Sequence, residues 1–169
     1  MERRTLIGGL FLSSGIIDVR WPVAARGQRD SETHGEAMWR LQNAHAFFPE
    51  GDFVRPADLM YRAGIVSQLA LTACLVASGW SDEDCRRNIG LDVGKALFFA
   101  NSGGLQFHSE SFARLMPLLS PYGRWRPPAI VEWRELGTLD ADEVRSTVSH
   151  LLAAVRSHLV STDDRGLRQ

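Results

Sequence analysis

The sequence predicts an all-α fold: five to seven helices in a compact bundle or orthogonal array around one buried helix at about 56–78. Three observations predict it. From Ile65 to Ala77 the chain is apolar almost all round, inside a segment that opens with a proline and closes at Gly79. Val144, Val148, Leu151, Leu152, Val155 and Leu159 recur at i, i+4, i+7, i+8, i+11 and i+15, the apolar stripe of one long helix. Between them lies a run of shorter helices announced by capping residues.

The elements follow in chain order. "ARGQRDSETHGE" is a polar connector. Ser31 is placed to cap a helix through "AMWRLQNAHAFF", where Met38, Leu41, His45 and Phe48 recur at helical spacing. "FPEGDFVRP" is a turn-rich break. Pro56 then starts the central helix, with Asp58 favouring its positive end and Gly79 closing it. A membrane span is the weaker reading of this segment, because the apolar run is short and carries Ser67, Gln68 and Thr72. Two short helices are expected next, Asp82 to Ile89 capped by Ser81 and Asp92 to Asn101 capped by its own first residue. Ser109 begins another, "ESFARLMPLL", which Pro117 is expected to interrupt. "SPYGRWRPP" is a loop, and residues 129–136 fit strand or helix equally. Asp140 caps the last helix, with Asp142 and Glu143 in its first turn, and residues 161–169 are a polar tail.

The opening stretch "MERRTLIGGLFLSSGIIDVRWPVAARGQ" stands apart. Arg3 and Arg4 precede a twelve-residue apolar run, Leu6 to Ile17, too short to span a bilayer and suited to a signal-peptide core. Val23 and Ala25 are small residues at the positions a leader peptidase needs. "RRTLI" resembles a twin-arginine export signal, a resemblance confined to the N-terminus that implies a periplasmic destination. Asp18, Arg20 and Trp21 depart from that pattern, and a first amphipathic element packed on the core is the competing reading. Cleavage after Ala25 removes Arg3, Arg4 and Arg20 with Glu2 and Asp18, leaving a single domain from Arg26 to about residue 160 whose net charge is −2 rather than −1.

Composition narrows the function classes. With 44% apolar and 23% charged residues, the 169-residue chain is an ordinary globular protein. A net charge of −1 argues against a surface made for nucleic acid or anionic membrane. Lys95 is the one lysine, a bias that fits arginine-rich codon usage better than selection for anions. Cys74 and Cys85 have no metal spacing; they are two core thiols or, in an oxidising compartment, a disulfide. The five histidines offer no metal pattern either, so no metal or cofactor is expected.

Two stretches are candidate interaction sites. Tyr122, Arg124, Trp125 and Arg126 in "PYGRWRPP", with Trp133 and Arg134 nearby, offer stacking rings beside guanidinium groups for a ligand. "WSDEDCRRNIGLDVGKALFFANSGG" is similar to a helix-turn-helix, with Gly90 at the turn and Cys85, Ile89, Leu91, Ala96 and Phe99 inward. On that reading Arg86, Arg87, Lys95 and Asn101 are the residues for DNA, while Leu97 and Phe98 sit where polar groups are needed, which favours a core helix. No P-loop, dinucleotide fingerprint or nucleophile elbow is present. Asp82 with Glu83, and His108 beside Glu110, are the acid–base candidates of an enzyme without a motif. The leading expectation is therefore an exported helical protein that binds a protein, small molecule or envelope component. A cytoplasmic DNA-binding regulator using residues 81–104 comes second, and a helical enzyme third.

Overall fold

The computed structural model describes residues 30–51, 55–126 and 140–166. Among them are six α-helices and one 3-10 turn: α1 (Asp30–Ala46), α2 (Pro56–Ala77), α3 (Asp82–Asn88), α4 (Val93–Ser102), α5 (Glu110–Leu119), the turn Tyr122–Trp125, and α6 (Ala141–Gly166). The fold is all-α, as the apolar pattern predicts, and every other element packs against α2. Residues 1–25, which carry the export reading through Arg3, Arg4 and Ala25, lie outside the described residues, as do 129–136 with Trp133 and Arg134.

α2 is largely buried from Leu59 to Val76, with Arg62 exposed, because its surroundings are apolar and its hydroxyls are spent locally. Ser67 donates its hydroxyl to the Ala63 carbonyl (2.8 Å) and Thr72 to the Gln68 carbonyl (2.8 Å), so neither brings an unsatisfied group into the core. Gln68 reaches sideways, its Nε2 donating to the Gly90 carbonyl at 3.0 Å, which ties the α3–α4 turn to the centre. Among the described residues α2 is the one helix long and apolar enough to cross a membrane, and 72% of its apolar window is buried inside the protein.

α1 lies on α2 through Ala37, Leu41 and Ala44, all buried. This inward line differs from the expected one of Met38, Leu41, His45 and Phe48: Met38 and Phe48 are half-buried and His45 is exposed. Alanines win the contact because they let two helix backbones approach closely, and helix packing distance follows side-chain size. The helix also begins at Asp30, which puts Ser31 inside its first turn instead of at its cap.

α6 buries the whole stripe Val144, Val148, Leu151, Leu152, Val155 and Leu159. Asp140 caps it, accepting from the Asp142 amide at 2.9 Å. The helix continues to Gly166, so residues 161–166 are helical where a polar tail is expected. Arg145 on its flank donates to the carbonyls of Pro49 (3.0 Å) and Gly51, which fastens the end of the α1–α2 connection.

α5 runs through Pro117 to Leu119 rather than stopping at it. The missing proline N–H costs one bond in the last turn only, and Ser120 N still closes onto the Met116 carbonyl at 3.1 Å.

Cys74 and Cys85 are free and buried. Burial pushes the Cys74 thiol up to about 12, and pushes Cys85 up to about 11 against the opposing field of Arg40. A thiol with a raised folded pKa contributes stability that is complete below its unfolded pKa, about 8.5. That stability is lost as pH climbs towards the folded value. The stability advantage of the natural protein over Cys74→Ala should therefore shrink by about 1.4 kcal/mol per pH unit above about 8.5. Urea unfolding of both proteins from about pH 7.5 to 9.5 reads this directly; a constant difference would contradict the burial of Cys74.

Candidate functional site

The aromatic–basic loop is an internal cap. Trp125 is 1% exposed, and its indole Nε1 donates to the Leu118 carbonyl at 2.6 Å. Arg124 lies over the Trp125 ring, 4.6 Å from the centroid, and its Nη2 donates to the carbonyls of Pro117 (3.2 Å) and Leu118 (2.9 Å). These are carbonyls at the α5 C-terminus, which lack helical partners and carry partial negative charge, so a guanidinium is well placed there. Tyr122 is half-buried, its ring 6.0 Å from that of Tyr61 on α2. Of the four expected ligand residues only Arg126 is exposed. The loop composition is the same whether its tryptophan faces in or out; the packing against α2 turns it inward.

The α3–α4 pair has the expected caps. Ser81 accepts from the Asp84 amide (3.2 Å) while Asp84 accepts from the Ser81 amide (3.0 Å), a reciprocal capping box. Asp84 is held below the usual carboxylate range by the Ser81 hydroxyl first and its backbone N–H second. Gly90 has φ +59°, a left-handed turn residue between the two helices. Asp92 accepts from the Lys95 amide at 3.0 Å.

The side chains proposed for DNA are mostly engaged within the protein. Arg86 and Arg87 both bond Glu83, at 2.7 and 3.0 Å. Asn101 forms a two-way clamp with the Phe107 backbone, donating to its carbonyl (3.0 Å) and accepting from its amide (2.8 Å). Lys95 is exposed. Of the expected inward residues, Cys85, Ile89 and Ala96 are buried, Phe99 is half-buried, and Leu91 is 44% exposed. Leu97 is half-buried and Phe98 is 62% exposed, so α4 is a core helix on one edge only. That edge, Val93, Ala96 and Ala100, is made of small residues, and a narrow contact strip leaves the larger side chains outside.

Two of the acid–base candidates, Asp82 and Glu83, have structural partners too. Asp82 accepts from Arg40 of α1, and Glu83 holds Arg86 and Arg87. His108 and Glu110 are exposed. His150 packs its ring 5.3 Å from that of Phe107. Among the described residues no group of three His, Cys, Asp or Glu side chains is placed to hold a metal ion.

The feature that sequence reasoning missed is a pocket of about 180 Å³ between α5 and α6, lined by Ser111, Arg114, Leu115, Glu143, Val144 and Thr147. Its floor is apolar, since Leu115 and Val144 are core residues. Its rim carries an ion pair across the two helices, Arg114 Nη2 to Glu143 Oε1 at 3.0 Å, with Ser111 Oγ 3.3 Å from the same guanidinium nitrogen. Thr147 is 6% exposed and lines the pocket with its side chain. Residues 111, 114 and 115 share one face of α5, and 143, 144 and 147 one face of α6, by the three- and four-residue spacing of a helix. The signal was in the sequence only as two separate amphipathic helices. Searches for this chain's relatives found no matching family, no matching curated protein and no matching solved structure.

Proposed function

We propose that this protein is an exported helical binding protein whose ligand is a small molecule held between α5 and α6. The pocket carries this reading. It joins an apolar floor to a few polar groups, the composition of small-molecule sites. At about 180 Å³ it is below the roughly 300–1,000 Å³ of a site for drug-sized ligands, so its occupant is a fragment of a few heavy atoms. Thr147 adds a hydroxyl to the lining, a polar group beside the apolar floor. Export rests on the resemblance of "RRTLI" to a twin-arginine signal, and an intact mass beginning at Arg26 in a periplasmic fraction checks it.

The test of the pocket is an amide chemical-shift titration with isoamyl alcohol, a neutral branched fragment. Shifts should concentrate on residues 111–115 and 143–147, and should vanish in Ser111→Trp, whose indole fills the space. No local shifts, or equal shifts in the filled variant, would sink the reading.

A further inference from the structure

We infer that the pocket between α5 and α6 selects a small zwitterion of the α-amino-acid type with a branched apolar side chain. This rests on the small-molecule reading above and names the chemistry of its ligand.

The charged rim sets the selectivity. Arg114 and Glu143 present opposite charges 3.0 Å apart at the mouth of a pocket with an apolar floor. Both side chains are well exposed, at 66% and 51%, so their mutual attraction is screened and the pair opens at small cost. An α-amino acid carries its ammonium and carboxylate on one carbon, which sets the two charges at a separation similar to that of the pair they would meet. Inserted at the rim, it replaces one exposed ion pair by two. The carboxylate takes the planar fork of Arg114, and the ammonium takes Glu143. The side chain then lies on Leu115 and Val144, and Thr147 offers its hydroxyl to whichever charged group reaches it.

The same geometry discriminates against simpler ions. A carboxylate without an amine gains Arg114 but faces the Glu143 charge. An amine without a carboxylate gains Glu143 but faces Arg114. Each meets one attractive and one repulsive partner at nearly equal distance, so the terms largely cancel. Only a ligand carrying both charges satisfies both, and only one with an apolar body uses the floor.

The test compares four molecules sharing one carbon skeleton: L-leucine, 4-methylpentanoate, isoamylamine and isoamyl alcohol. Binding is followed by amide shifts of residues 111–115 and 143–147 at low salt. L-Leucine should bind at least tenfold more tightly than either singly charged analogue. The variants should give a crossed pattern. Glu143→Gln should weaken L-leucine about tenfold and tighten 4-methylpentanoate; Arg114→Gln should weaken L-leucine and tighten isoamylamine. Both residues are exposed rim residues, so both variants keep the fold, and a purely structural role would not reverse the order of ligands. If isoamyl alcohol binds and L-leucine gains nothing over the singly charged analogues, the zwitterion inference fails while the pocket stands. If none of the four binds, both fail.

Discussion

Replacing Gly64 of α2 by alanine is expected to cost the fold about 3 kcal/mol or more. A Cβ at Gly64 would lie 2.2 Å from the Cβ of Tyr122 and 3.3 Å from the Leu119 carbonyl oxygen. Neither neighbour can swing aside. A Cβ is fixed to its backbone, and the Leu119 oxygen is backbone itself. The 3-10 turn would have to lift from α2, carrying Arg124 and Trp125 off the end of α5. Gly35 supplies the control. It lies within α1 with nothing within 4 Å of its Cβ position, so Gly35→Ala should stabilise by about 0.5–1 kcal/mol through helix propensity. Urea unfolding midpoints of the two variants should move in opposite directions. Similar midpoints would mean that Tyr122 does not sit on Gly64.

The second large effect concerns Trp125. Truncation to alanine removes a fully buried ring and should cost about 3–5 kcal/mol. Trp125→Phe should cost far less, about 1–2 kcal/mol, for a reason visible at the acceptor. The Leu118 carbonyl that receives the indole N–H also receives Arg124 Nη2 at 2.9 Å, so losing the indole leaves no orphaned oxygen. Combining Arg124→Ala with Trp125→Phe removes both donors, and the double variant should lose more than the two single losses added. Thermal unfolding of the four proteins closes the cycle. If Trp125 were instead a surface ligand contact, all three variants would melt with the natural protein.

The reach of sequence reasoning follows from the range of the interactions. Ser81, Asp92 and Ser109 were readable as caps because a cap joins a side chain to an amide a few residues on, and both ends lie in one short window. The buried stripe of α6 was readable because its six residues repeat at one helical period. The α1 stripe was displaced because the rule weighs hydrophobicity, and the close contact with α2 selected the small residues Ala37 and Ala44. Asn101 and Arg124 were ambiguous for a related reason. Each has the chemistry to bind a nucleotide or an anion, and each spends it on a backbone group six or seven residues away. Polar side chains satisfy backbone as readily as they recognise ligands, and composition does not separate the two uses.

By itself the sequence determined the helical class, the buried helix from Pro56 to Ala77, and most helix starts, since periodicity and capping are properties of neighbouring residues. Tertiary structure alone decided which way the aromatic loop faces, because the space for Tyr122 is the missing side chain of Gly64 on another helix. It alone made the pocket, because Arg114 meets Glu143 only when α5 and α6 lie side by side. A pattern along the chain records what each element needs to bury; which surfaces are left facing one another is set by how the elements share a single core.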